Sequence, residues 1–93
     1  MAGYEVYKNG ENIYQEGKPA DTFLIIRKGK VRVYKTIDDK EVELDKLGAG
    51  DIIDELSFFL NKKRPTSVDA LEETVVQTFS EESFISYLRN YNF

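Results

Sequence analysis

Ninety-three residues suffice for one domain with a modest core, and a content of 41% hydrophobic and 13% aromatic residues argues against disorder. There is no cysteine and no histidine, which excludes disulfides, thiolate or imidazole metal sites, and Ser-His or Cys-His nucleophile pairs. The net charge of −4 argues against a general nucleic-acid surface, no apolar run is long enough to span a membrane, and Met1 to Val6 is no signal peptide, so the cytoplasm is the expected address.

No linker, internal repeat or low-complexity tract divides the chain, so residues 1–93 read as a single domain. Gly10, Gly17 and Gly29 mark turns that need positive φ. Phe23 to Ile26 is apolar without alternation, the pattern of a strand buried on both faces. Val31 and Val33 alternate with Lys30, Arg32 and Tyr34, and Val42 and Leu44 with Glu41, Glu43 and Asp45, the period of half-buried strands. Asp38-Asp39-Lys40 between them reads as a hairpin loop. These short strands, filling residues 3–79, suit two sheets packed face to face, a small antiparallel barrel of jelly-roll type.

One excursion interrupts the strands. Gly48-Ala49-Gly50-Asp51 leads into Asp54-Glu55-Leu56, and Leu56, Phe59 and Leu60 are spaced to bury one face of a short helix inside 54–61. The first N–H groups of that turn, near Leu56 and Ser57, have no partner within the helix and suit an anion. Arg64 returns to the same place with a fork that matches two phosphate oxygens. Glu55, an acceptor only, suits a hydroxyl, although it also has the option of capping the helix or pairing with Arg64. A sugar phosphate meets both demands. Asp51, Asp54 and Glu55 lack the spacing of a calcium loop, so no metal is expected. After the last strand, Ser80 is an N-cap and Glu81 and Glu82 face the positive dipole end. Phe84, Tyr87, Leu88 and Tyr91 form a stripe on a terminal helix from about 81 to 90.

The segment Asp54-Glu55-Leu56 … Arg64-Pro65-Thr66-Ser67 resembles the phosphate-binding cassette of the cyclic-nucleotide-binding domain family, shared by catabolite-activator-type regulators, protein kinase regulatory subunits and cyclic-nucleotide-gated channels. The likeness extends to Asn9-Gly10-Glu11-Asn12-Ile13, Glu16-Gly17, Ala20-Asp21, Phe23 to Ile26 and Lys28-Gly29-Lys30-Val31, and to Val68 through Phe79. It implies a non-enzymatic sensor module that needs no cofactor and whose ligand is a cyclic nucleotide, cAMP in preference to cGMP. Arg64 and the Leu56 and Ser57 amides would hold the cyclic phosphate, and Glu55 the ribose 2′-hydroxyl. Val33 and Leu44 would wall the sugar and base, and Thr66, one residue past the place where some relatives carry a Thr or Ser that favours cGMP, is a further ligand-binding candidate. Two positions depart from the pattern: Asp54, whose carboxylate either points out to water or turns inward and occupies Arg64, stands where the family prefers glycine, and Pro65, with no N–H, follows the arginine. The family carries further helices and output domains, so this chain reads as an isolated or truncated module. Its terminal helix is expected to relay binding and to contact a missing output domain or a second copy in a homodimer. The rival expectation is a degenerate barrel without ligand, an interaction or oligomerisation scaffold that presents Tyr87, Tyr91 and Phe93. A cupin enzyme would need histidines that this chain lacks.

Overall fold

The computed structural model describes residues 3–90. Its strands are β1 (Gly3–Tyr7), β2 (Asn12–Tyr14), β3 (Thr22–Lys28), β4 (Lys30–Ile37), β5 (Lys40–Gly48), β6 (Ile52–Ile53), β7 (Ser67–Ala70) and β8 (Thr74–Ser80). Helix α1 (Glu55–Phe59) lies between β6 and β7, and α2 (Glu81–Arg89) follows β8. Every strand pairing is antiparallel; the two four-stranded sheets run β1-β8-β3-β6 and β2-β7-β4-β5, the expected two-sheet barrel. Tyr14, Leu24, Ile26, Val31, Ile53, Val68 and Val76 form the core, drawn from both sheets.

The lack of alternation in β3 has a clear cause. Leu24 and Ile26 enter the barrel core, while Phe23 faces the other way into rings from α1, β8 and α2. Its ring stacks on Phe79 at 5.0 Å and meets Phe84 edge-on at 5.6 Å. The hairpin turn falls on Asp38 and Asp39, both with positive φ (51° and 63°), the type I′ geometry that matches strand twist. Gly10, Gly17 and Gly29 take the positive φ expected of them.

Strand β5 corrects the expectation of half-burial. Val42 and Leu44 are both exposed, and burial begins only at Leu47. β5 is an edge strand with a neighbour on one side only, and a bulge between its pairings with Val33 and Tyr34 leaves Leu44 without a cross-strand partner. Helix α2 starts as its sequence indicates: the Ser80 hydroxyl accepts from the Ser83 amide and the Ser83 hydroxyl accepts from the Ser80 amide, a reciprocal cap. Its stripe is only partly used. Phe84 packs inward and the Tyr87 ring meets Phe79 edge-on, while Leu88 is exposed. Tyr91 and Phe93 lie outside the described residues.

Candidate phosphate site around Arg64

The Gly-Ala-Gly-Asp turn is closed from both ends. The Asp51 amide donates to the Gly48 carbonyl at 3.0 Å, and the Gly48 amide to the Asp51 carboxylate at 2.8 Å. This turn delivers the chain through β6 to Asp54, the N-cap of α1, in a left-handed conformation (φ 66°, ψ 25°). Glycine meets that geometry without strain, whereas asparagine and aspartate are the side chains that tolerate it best. Helix α1 ends in a left-handed Asn61: its amide donates to Phe58 and the Lys62 amide to Ser57, the paired bonds of a Schellman stop.

The buried face expected of α1 is not there. Leu56, Phe59 and Leu60 are 67%, 55% and 54% exposed, and no residue of the helix is buried. A five-residue helix on the barrel surface offers one narrow contact. That contact is made by the rings of Phe58 and Phe59 on Phe23, with Phe59 also against Phe84 at 5.2 Å.

Arg64 is held from both sides of its backbone. The Gly17 amide donates to its carbonyl at 2.9 Å, and its own amide donates to the Lys18 carbonyl at 2.8 Å. Its side chain is 6% exposed, and its guanidinium lies 3.3 Å from the centre of the Tyr14 ring. Nη1 donates to the Thr22 carbonyl at 3.1 Å and to the Asp54 carboxylate at 2.7 Å, and Nη2 to the Thr22 hydroxyl at 3.0 Å. Asp21, on an exposed side chain, stands 3.6 Å from Nη2. Burial pushes the Tyr14 phenol up to about 12, against the opposing pull of the Thr22 side chain and of Arg64.

Of the two carboxylates that the sequence offers to Arg64, Asp54 takes it, and the exposed Glu55 stays on the helix surface. The left-handed backbone at Asp54 turns its carboxylate toward Arg64 and away from its own helix, for which it makes no side-chain cap. Thus the three neighbouring acids serve different ends, Asp51 closing the turn and Asp54 neutralising Arg64. Ser57 is half-buried at the start of α1, and Thr66 is half-buried in the bend before β7. Pro65 is exposed, and its carbonyl accepts from Lys35 at 3.0 Å. Lys35 is also paired with Glu16 at 2.8 Å, and this bond, followed by that from the Thr36 amide, holds the Glu16 carboxyl below its usual range.

Val33 and the bulged Leu44 are neighbours across β4 and β5, Val33 packed on the core and Leu44 54% exposed. Arg64 lines a cleft of about 470 Å³ with Tyr14, Thr22, Asp21, Lys18 and Tyr7, whereas Glu55, Leu56, Ser57, Val33 and Leu44 are not part of that lining. Sequence reasoning missed Tyr14 and Thr22 as the arginine's platform. The one signal was their position on either side of Glu16-Gly17 and Ala20-Asp21, segments already matched to the family pattern.

Comparison with known proteins agrees with this architecture. The family profile described as the cyclic nucleotide-binding domain matches residues 4–91. The cAMP-dependent protein kinase type II regulatory subunit of Drosophila melanogaster is 38% identical over 73 residues, 78% of this chain and 19% of that protein. The chain thus spans about a fifth of that relative's length. Among solved structures, the half-site-occupied form of the EAL enzyme Bd1971 superposes with a TM-score of 0.90 at 29% identity, covering 99% of this chain and 83% of that one. The catabolite activator protein of Thermus thermophilus gives a TM-score of 0.86 at 26% identity, covering 95% of this chain and 42% of that one. With a family profile spanning nearly all of its length and a fold shared with solved members, this chain belongs to the cyclic nucleotide-binding domain family.

Proposed function

We propose that this domain is a regulatory, non-enzymatic sensor that binds a cyclic nucleotide through residues 54–66. The observation that carries the reading is a buried guanidinium, locked by its backbone to the Gly17–Lys18 turn and placed beside the start of α1. In this reading Arg64 grips the cyclic phosphate and the Leu56 and Ser57 amides, unpartnered at a helix start, add donors. Glu55 accepts from the ribose 2′-hydroxyl, Thr66 stands beside the phosphate, and Val33 and Leu44 wall the sugar and base. The preference for cAMP over cGMP is supported by Pro65, which offers no hydroxyl after the arginine, and by relatives named for cAMP. Bd1971, described in both cAMP-bound and cGMP-bound forms, keeps the second ligand in the test. The phosphate draws α1 inward, and the Phe59–Phe84 contact passes the movement to α2. α2 in turn presents a surface to an output domain or to a second copy.

Calorimetric titration with cAMP and with cGMP is the test, and cAMP is expected to bind more tightly. Arg64→Lys keeps the charge that Asp54 requires but loses the planar fork, and is expected to weaken binding by about tenfold or more. Glu55→Gln is expected to be milder, since an amide oxygen still accepts. No heat from wild type at millimolar ligand would overturn the proposal. In that case the second reading stands, a barrel that serves as a protein-interaction or oligomerisation scaffold; the observation in its favour is that Asp54 already occupies Arg64 at 2.7 Å.

A further inference from the structure

We propose that Asp54 is a built-in competitor for the phosphate seat, so that an anionic ligand enters by exchange and takes the Arg64 Nη1 hydrogen bond that the Asp54 carboxylate holds. The inference rests on the reading of Arg64 as the phosphate-holding residue.

Four observations support it. First, the pair is short and dry: 2.7 Å, with side chains 6% and 9% exposed, where a charge-assisted bond is strongest. Second, both Nη1 hydrogens are committed, one to Asp54 and one to the Thr22 carbonyl, and Nη2 is bonded to the Thr22 hydroxyl. The edge formed by Nη1 and Nη2 is therefore closed to a phosphate until one partner leaves, and only the side-on edge of Nε–H and the second Nη2–H lies outside these bonds. Thr22 is fixed in β3, whereas Asp54 sits in the chain just ahead of a surface helix, so Asp54 is the partner able to move. Third, an aspartate at an N-cap ordinarily bonds its own helix, and this one makes no such bond. Its carboxylate is directed to Arg64 instead. Fourth, the backbone there is left-handed, a geometry in which glycine would be the least strained residue.

The carboxylate bridges the start of α1 and the guanidinium, the position that the cassette reading assigns to the cyclic phosphate. Ligand affinity is then the difference between two anion–arginine bonds, and the aspartate sets the threshold concentration at which the sensor responds. Once released, the carboxylate is free to turn toward the amides of α1 or toward water.

The test is cAMP titration, at low and moderate salt, of wild type, Asp54→Asn and Asp54→Gly, each first shown to be folded by thermal melting. Asn is nearly isosteric and keeps an acceptor for Arg64, so it decides the matter alone should the glycine variant fail to fold. Both variants are expected to bind about ten- to a hundredfold more tightly than wild type, the span of one charge-assisted hydrogen bond, with the gain larger at low salt. Tighter binding by Gly with none by Asn would mean a steric block and would overturn the exchange. Binding by wild type with no gain in either variant would overturn the exchange and leave the Arg64 reading standing. Failure of wild type and both folded variants to bind at millimolar ligand would overturn both.

Discussion

Tyr14 is where the chemistry of single residues is most exposed to test. Its ring carries the Arg64 guanidinium, and its hydroxyl donates to the Thr22 carbonyl at 3.0 Å. The phenol is raised from its ordinary 10 to about 12 by burial. The folded protein therefore keeps this proton where the unfolded chain has released it. The stability that follows is whole below about pH 10, is lost as pH climbs from 10 to 12, and amounts to about 2–3 kcal/mol. Tyr14→Phe is expected to cost about 1 kcal/mol at neutral pH through the lost hydrogen bond. It should also flatten the fall in stability between pH 10 and 12, as read by urea denaturation across that range. A residual slope should persist from Tyr7, whose phenol is likewise held up, by burial first and then by its bond to Glu5. Equal alkaline slopes in variant and wild type would refute the assignment. At this scale Arg64 and Asp54 were legible in the sequence, because motif spacing singles out charged residues. Tyr14 and Thr22 were not, because their role exists only when β2 and β3 close around residue 64, and a tyrosine in a strand otherwise reads as core.

Gly29, in the tight connection between β3 and β4, does for these two elements what no other residue can. Its φ is 100°, and a Cβ there would lie 2.5 Å from both the Glu73 carbonyl oxygen and the Thr74 hydroxyl, and 2.7 Å from the Thr74 Cα. Thr74 is itself buried and bonded to the Lys30 and Glu72 carbonyls, so the neighbour cannot withdraw cheaply. Gly29→Ala is expected to destabilise the fold by more than about 2 kcal/mol, combining backbone strain with a clash against main chain, as measured by thermal or urea melting. Gly10→Ala, with a similar φ of 89° and open space around the added Cβ, should cost clearly less. A Gly29→Ala variant as stable as wild type would remove the argument. The turns at Gly29 and at Asp38-Asp39 were readable because glycine and aspartate carry backbone information locally. Burial in β5 and α1 was not, since periodicity reports which residues share a face and is silent about whether a second layer covers it. Val42, Leu44, Leu56 and Leu60 have correct spacing and no cover.

Across the whole molecule, β3 carries side chains to the barrel core on one face and to both helices on the other. β3 sends Leu24 and Ile26 into the core and Phe23 into a run of rings that continues through Phe59 to Phe84, at 5.7 Å and 5.2 Å. Phe79 and Phe58 complete the contact, so α1 and α2 touch through rings rather than through backbone. Edge-on aromatic pairs contribute about 0.5–1.5 kcal/mol each beyond burial, enough to bias a two-state helix arrangement yet weak enough to break. Phe59 is half-exposed and its ring contacts are with Phe23, Phe58 and Phe84, none of which bonds Arg64, which sets the relay apart from the arginine's own hydrogen bonds. Phe59→Ala is therefore expected to leave cyclic-nucleotide affinity within about threefold, less than 1 kcal/mol. In wild type, ligand should change amide hydrogen exchange across Ser83–Arg89 of α2; in the variant that change should shrink or vanish while exchange changes at Glu55–Phe59 persist. Should α2 respond equally in both proteins, coupling would have to run through β8 and the Phe23–Phe79 stack instead. Phe79→Leu, which keeps an apolar contact on Phe23 and removes the stack, would then be the variant to lose the α2 response.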